Sequence, residues 1–363
     1  MKRNNRLLLT GGHAATTALS IVQEIKNQKI DWDIHWVGPQ KAVEGKNIAS
    51  LEYKYFEKYN VIFHKIITGR IQRRFTFWTI PSLLKIPIGF VQSLFLLIKI
   101  KPFLVLSFGG YASFPVVVIS KIFKIPVLIH EQTSVVGRAN QVVSRFVDKI
   151  LLSRKTSKKY FSKDKSILVG NPILSEYFNG NTKKSMDRKT ILVIGGSRGS
   201  QPINKVIEEN LRTILEKFNL IHLTGVLGFS DLEKIKSQFS DEISSKYQVI
   251  SSVTPFEMLK LYKKADFVIS RSGANTVSEL IALKKPAIFI PIPWSYLDEQ
   301  KENAKFASEY IPTMILDQNN LKGKNIIKLI ESFSKSKFTF SKKESPDKES
   351  SKKVVEVIKK YSK

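Results

Sequence analysis

Short runs of β-branched residues and leucine alternate with helix-length amphipathic stretches along almost the whole chain. That is the pattern of repeated β-α units around parallel sheets, whose strands are covered on both faces and read as near-continuous apolar runs. In the first half, strands are predicted at Arg6–Thr10, Ile34–Val37, Val61–Ile66, Leu104–Phe108, Val127–His130, Lys149–Leu152 and Ile167–Val169. The rhythm stops between Asn179 and Lys189, a polar Lys/Asn/Ser-rich stretch with no apolar period that reads as a linker. It restarts at Thr190–Ile194 and continues at Leu220–Leu223, Gln248–Ile250, Phe267–Ser270, Ala287–Ile290 and Thr313–Leu316. The expectation is an α/β protein with two Rossmann-like, doubly wound parallel-sheet domains, 1–178 and 190–333, joined by 179–189. A Lys/Ser-rich tail over 334–363 is expected to be loosely ordered before a short terminal helix, Lys353 to Lys360.

Each half opens with a strand, two glycines and a helix: Leu9-Thr10-Gly11-Gly12-His13 and Ile194-Gly195-Gly196-Ser197. A third such loop, Phe108-Gly109-Gly110-Tyr111, follows another predicted strand. Glycine lets the backbone approach a ligand, and the following helix offers N–H groups and a positive dipole end to phosphate. Ligands of open α/β sheets sit beyond the carboxyl ends of the strands, so two domains facing across a cleft would line it with these loops. The run Arg271-Ser272-Gly273-Ala274-Asn275-Thr276-Val277-Ser278-Glu279 has helix-start chemistry, with Ser272 as a candidate cap. Glu279, two turns in, suits either an exposed helix face or a ribose diol.

None of the five histidines shows metal-ligand spacing. His13, at a helix start facing the expected cleft, suits proton transfer, whereas His130 reads equally as site-lining or structural. His35, His64 and His222 lie in or beside strands and read as core or edge residues. Asp31 and Asp33 resemble a metal-holding acidic pair, but they precede their strand and so point away from the glycine loops; a solvated turn is expected.

Composition narrows the partners. The chain carries 59 Lys+Arg against 31 Asp+Glu, a net charge of +28, which implies an anionic partner: nucleic acid, anionic lipid or a phosphorylated substrate. The absence of cysteine excludes disulfides, Cys-ligated zinc and thiol nucleophiles. The apolar start, Leu7-Leu8-Leu9, is too short for a secretory leader, and the most apolar stretch, Ile86 to Ile100, falls short of a bilayer span. No transmembrane helix is predicted. From Lys58 through His130 there is no acidic residue, while basic residues including Arg70, Arg73 and Arg74 interleave with Phe75, Phe77, Trp78, Leu83, Leu84, Phe90, Leu94 and Phe95. The mixture suits an anionic bilayer surface; a buried helix beside a solvated basic loop is the plainer alternative. No nucleic-acid-binding motif accompanies the charge.

Taken together, Thr10-Gly11-Gly12-His13, Gly109-Gly110-Tyr111, His130-Glu131-Gln132, Gly170-Asn171-Pro172, Gly195-Gly196-Ser197-x-Gly199, Arg271 through Glu279, and Gln300-x-x-Asn303-Ala304 resemble, in order and spacing, the MurG family of peptidoglycan synthesis. The resemblance covers about Leu7 to Leu316. It implies a GT-B fold and inverting transfer of GlcNAc from UDP-GlcNAc to the 4-hydroxyl of MurNAc in undecaprenyl-diphospho-MurNAc-pentapeptide, converting lipid I to lipid II. It further implies no metal or cofactor, and a peripheral position on the cytoplasmic face of the inner membrane, against anionic lipids, with no nucleic acid.

Carried over by motif position, the donor would meet Thr10, Gly11, Gly12, Thr133, Ser197, Pro255, Ser272, Gly273, Ala274, Thr276, Glu279, Gln300 and Asn303. Within that set, Ser197 would bond the diphosphate, Glu279 the ribose and Gln300 the GlcNAc hydroxyls, with Pro255 beside uracil. The acceptor would meet His13, Gly109, Gly110, Tyr111 and Glu131, with His13 as catalytic base and Arg70, Arg73, Arg74, Phe75, Phe77 and Trp78 at the membrane. Three departures stand out: Thr133 replaces an asparagine, Leu174 an arginine, and Thr16 and Thr17 stand where a proline is frequent. Rival readings are another UDP-sugar-dependent glycolipid synthase of the same fold, a UDP-GlcNAc epimerase, and a non-enzymatic basic protein binding membrane or nucleic acid.

Overall fold

Every strand predicted from an apolar run is present within one residue of its expected ends. A computed structural model describes residues 5–12, 14–41, 49–69, 79–179, 188–196, 199–226, 228–321 and 325–362. The chain divides into two compact units, Met1–Leu174 with Pro346–Lys363, and Ser175–Ser345.

In the first unit the strands are β1 (Arg6–Thr10), β2 (Asp33–Gly38), β3 (Ile62–Lys65), β4 (Leu104–Ser107), β5 (Val127–Glu131), β6 (Lys149–Leu152) and β7 (Ser166–Leu168). They pair in parallel in the order β3-β2-β1-β4-β5-β6-β7. The second unit holds β8 (Thr190–Ile194), β9 (Asn219–Leu223), β10 (Tyr247–Ile250), β11 (Phe267–Ser270), β12 (Ala287–Phe289) and β13 (Thr313–Ile315), in the order β10-β9-β8-β11-β12-β13. Both orders reverse direction once, between β1 and β4 and between β8 and β11, which is where a doubly wound sheet opens a crevice. The central strands are hidden on both faces: Leu7, Leu8 and Leu9 are fully buried, as are Leu192 and Val193.

The helices that position the candidate residues are α1 (Ala15–Asn27), α2 (Leu51–Tyr55), α3 (Thr79–Ile100), α4 (Ser113–Ile122), α5 (Gln201–Glu209), α6 (Pro255–Lys264), α7 (Ala274–Ala282), α8 (Glu299–Ser308) and α9 (Ser350–Lys359). Asp33 opens β2, opposite the glycine loops, as its place before the strand suggested.

Three expectations are corrected. Residues 175–178 belong to the second unit, because Tyr177 is fully buried there, its ring on Tyr262 and its hydroxyl donating to Pro255 O at 3.0 Å. The end of the tail is not loose: from Pro346 onward it is part of the first unit, with α9 packed on α1. Buried Asp347 accepts both arms of buried Arg154, at 2.6 and 2.9 Å, and the backbone N–H of Asn171 at 2.7 Å. Gly170-Asn171-Pro172 is thus where the returning chain docks, and Ser350 adds a bond to Asn171 O.

The third correction concerns α3, which starts at Thr79 and is 22 residues long. By length and composition Ile80–Ile100 is long and apolar enough to cross a membrane. One face is nonetheless fastened to the unit: Ser82 and Ser93 are fully buried, Gln92 accepts the Ile67 N–H at 2.7 Å, and Phe90 meets Phe114 of α4 edge-on. The other face exposes Ile80, Leu84, Ile88, Val91, Phe95 and Ile98, steps of three and four that make one straight apolar stripe. The plainer alternative of a wholly buried helix does not hold.

Removing one member of a buried ion pair strands the other, at a cost of about 3–5 kcal/mol. Asp347→Ala should therefore lower the unfolding free energy by an amount of that order, read by urea denaturation, whereas Lys352→Ala at an exposed ion pair should change it little.

Candidate functional site

In the first unit the loops after β1 and β4 meet at the crevice: the Gly12 N–H donates to Gly109 O at 3.2 Å. Gly109 and Gly110 have φ of +77° and +88°, which ordinary side chains resist, so this turn demands glycine. Thr10 and Gly11 are buried, and the Thr10 hydroxyl donates to Val37 O, supporting the loop from within the sheet. Gly12, Gly110 and Tyr111 keep exposed surface. His13 lies outside the described residues, as do Arg70, Arg73, Arg74, Phe75, Phe77 and Trp78.

One residue here was not legible from sequence. Glu52, in α2 and only 3 % exposed, accepts the N–H of Ala14 at 2.8 Å, just before α1. A carboxylate thus already answers the positive end of α1, where the glycine-loop reading placed a phosphate. Nothing local to Glu52 advertises this, because its partner is 38 residues away.

Around the tip of β5, Glu131 is buried and accepts from Thr133 N and Oγ1, Gly137 N and Asn140 Nδ2 at 2.9–3.2 Å. Burial raises its pKa while these donors pull it back. The Thr133 hydroxyl is committed to this carboxylate, so Glu131 and Thr133 organise their own loop. His130 is fully buried and held neutral, its pKa lowered by burial to about 4, with Nε2 3.1 Å from Gly170 O. That contact ties β5 to the Gly170 turn.

The second unit assembles its candidates around the β8–β11 crevice. Gly196 and Gly199, with φ of +92° and +79°, turn the chain from β8 into α5; Ser197 lies outside the described residues. Gly273, not Ser272, caps α7, and apart from its chain neighbours no described residue comes within 4 Å of where a Cβ on Gly273 would be. Open space therefore faces the start of α7, where Ala274 and Thr276 are half-buried. The Ser272 hydroxyl donates to Gln300 O at 2.7 Å and Asn303 Nδ2 to Ser272 O at 3.1 Å, tying α8 to the loop. The half-buried Gln300 accepts from Ile292 N through Oε1.

Pro255 is the first residue of α6, where the missing N–H costs nothing, behind a Thr254–Glu257 capping box. Its carbonyl holds Tyr177, whose ring touches Tyr262, whose hydroxyl donates to Glu279 at 2.9 Å. The residues expected beside uracil and ribose are thus joined by two tyrosines that sequence reading missed. Burial raises the Glu279 carboxyl to about 7 and pushes Tyr262 well above its usual value. Arg271, also buried, is lowered by burial to about 10 and stays charged at neutral pH. Among the described residues no three His, Asp or Glu side chains gather as a metal group would require.

Two doubly wound units of this kind in one chain are the architecture of GT-B glycosyltransferases and their relatives. The model of the glycosyltransferase family 28 N-terminal domain matches residues 10–152, and that of the family 28 C-terminal domain matches 190–360. A UDP-N-acetylglucosamine--N-acetylmuramyl-(pentapeptide) pyrophosphoryl-undecaprenol N-acetylglucosamine transferase of Clostridium botulinum (strain Kyoto / Type A2) is 32% identical over 99% of both chains. The enzyme of the same name from Halalkalibacterium halodurans is 30% identical over 89% of this chain and 87% of its own. The chain belongs to glycosyltransferase family 28 and, within it, to the MurG transferases.

Among solved structures, Acinetobacter baumannii MurG superposes with a TM-score of 0.67 at 20% identity, covering 98% of this chain and 99% of that one. A Methanocaldococcus jannaschii UDP-GlcNAc 2-epimerase in complex with UDP-GlcNAc and UDP gives 0.64 at 15%, with the same coverage. The fold is therefore shared with epimerases as well as transferases.

The raised carboxyl has a stability consequence of definite sign. A folded-state pKa of about 7 against an ordinary 4.5 means that wild type loses stability as pH rises through that window. Glu279→Gln keeps an acceptor for Tyr262 and has no charge to bury. Thermal denaturation from pH 4.5 to 8 should show the variant gaining on wild type as pH rises, by about 1–3 kcal/mol in total; a constant difference would contradict the assigned burial.

Proposed function

We propose that the protein transfers GlcNAc from UDP-GlcNAc to the 4-hydroxyl of MurNAc in undecaprenyl-diphospho-MurNAc-pentapeptide, with inversion at the anomeric carbon. The observation that carries this reading is the likeness, along 99% of both chains, to transferases named for that reaction. It is supported by the glycine loops and the run from Arg271, which leave β1, β4, β8 and β11 where strand order reverses.

In this reading the second unit holds the donor. Uracil lies by Pro255, the ribose hydroxyls donate to Glu279, the diphosphate meets Ser197 and the N–H groups that begin α5 and α7, and GlcNAc meets Gln300. Ribose bonds favour the ionised carboxylate, so binding should draw Glu279 below about 7. In the first unit the acceptor meets Gly110 and Tyr111. His13 takes the proton from the attacking hydroxyl, a role worth about 10²–10⁴ in rate. The C–O bond to the sugar forms as the bond to UDP breaks, and the departing negative charge is stabilised at the helix starts. No metal or cofactor is assigned a role.

The acceptor is lipid-borne, and the apolar stripe of α3 supplies a surface for it. Leu84 and Phe95 are 69% and 66% exposed, and apolar side chains of that size favour the headgroup boundary. Lys85 and Lys99 lie on the same helix, and each cation near an anionic leaflet adds about 1 kcal/mol. In this reading the protein sits peripherally on the cytoplasmic face of the membrane.

Incubation with labelled UDP-GlcNAc and lipid I should yield a labelled lipid product, reduced at least about 100-fold by His13→Ala. Labelled UDP-ManNAc formed without lipid would instead support the epimerase reading. Replacing Leu84 and Phe95 together by serine should weaken sedimentation with phosphatidylglycerol vesicles while leaving binding of UDP-GlcNAc intact; unchanged sedimentation would remove the stripe from the membrane.

A further inference from the structure

Arg271 directly follows β11 in the second unit and is 7% exposed. Its guanidinium donates to Ile290 O at 2.9 Å and Pro291 O at 3.3 Å beyond β12, to Ser200 Oγ at 2.8 Å before α5, and to Gln318 Oε1 at 2.5 Å beyond β13. All four acceptors are neutral oxygens. No carboxylate among the described residues bonds to it. These bonds fix where the guanidinium points, but they leave a full charge in a poorly solvated place with no counter-ion, an arrangement that is costly unless an anion answers it.

The location says which anion. Ser200 is the residue at the start of α5, and its side chain makes no capping bond to that helix; its hydroxyl accepts from Arg271 instead. The chain leaving Arg271 runs directly through Ser272 and Gly273 into α7, whose cap carries no side chain and faces open space. One buried cation is therefore bonded to the end of the β8 glycine loop and covalently continuous with the start of α7. These are the two helix starts of this crevice that favour negative charge.

We propose that Arg271 is the fixed cation of a nucleoside-diphosphate site, a positioning residue that braces the β8 loop through Ser200 and supplies the positive potential that the diphosphate answers. The inference rests on the donor reading given above and adds a residue to it. Because Arg271 is bonded to protein oxygens on several sides, it acts on the ligand through space and through Ser200. Its charge matters before any bond breaks, so it should act on the phosphates of bound nucleotide and not on the nucleoside.

The test compares UDP with uridine by calorimetric titration of the full-length protein as wild type, Arg271→Gln and Arg271→Lys. Gln keeps hydrogen-bonding capacity without charge, and Lys keeps charge with fewer bonds. The glutamine variant should weaken UDP binding by about tenfold or more while uridine stays within about twofold, and lysine should retain most of the preference for UDP. Equal weakening of UDP and uridine in Arg271→Gln would reduce Arg271 to a structural brace and overturn the proposal, as would unchanged UDP binding, or a lysine variant as impaired for UDP as glutamine. If wild type itself failed to prefer UDP over uridine, the donor reading would fall, and the proposal with it.

Discussion

Everything functional in this molecule depends on where two parallel sheets reverse their strand order. At β1 and β4, and again at β8 and β11, neighbouring strands run side by side while their outgoing connections turn to opposite sides, so the backbone cannot close over their ends. The loops that leave those four strands are Gly11-Gly12, Gly109-Gly110-Tyr111, Gly195-Gly196 and Arg271-Ser272-Gly273. Glycine is concentrated there because the turns need positive φ at some positions and open approach at others, as at Gly110 and Gly273 respectively.

The two crevices are not electrostatically alike. In the first, a buried carboxylate, Glu52, already occupies the start of α1. In the second, the start of α7 carries no side-chain cap and a buried arginine stands beside it without a carboxylate partner. The second is thus the crevice to which the proposed reading assigns the donor diphosphate. Glu279 fits the same picture: a carboxyl raised to about 7 by burial weakens the fold as it ionises, and hydroxyl donors from a ligand would relieve that cost.

The fold was legible because strands buried on both faces leave unbroken apolar runs such as Leu7-Leu8-Leu9 and Ile191-Leu192-Val193. The glycine loops were legible because they follow those runs directly. What escaped reading were interactions between residues far apart in the chain: Glu52 with Ala14, Tyr177 with Pro255, and Arg154 with Asp347, 193 residues away. The returning tail looked loose because its Lys/Ser-rich composition hides one buried aspartate and the apolar face of α9. The apolar helix α3 read too short because its most apolar stretch, Ile86 to Ile100, starts only after Lys85, whereas the helix itself starts at Thr79. Full burial of Thr10 and Glu131 was likewise invisible, since motif spacing locates a residue without saying what its side chain already holds.

The central claim is that the β8–β11 crevice receives the sugar nucleotide with its ribose on Glu279. A crystal structure of the protein grown with UDP-GlcNAc tests it most directly. The account predicts ribose hydroxyls within hydrogen-bonding distance of the Glu279 carboxylate and the diphosphate against the Gly195–Gly199 loop and the start of α7. A nucleotide bound elsewhere, with Glu279 still held by Tyr262 alone, would contradict it.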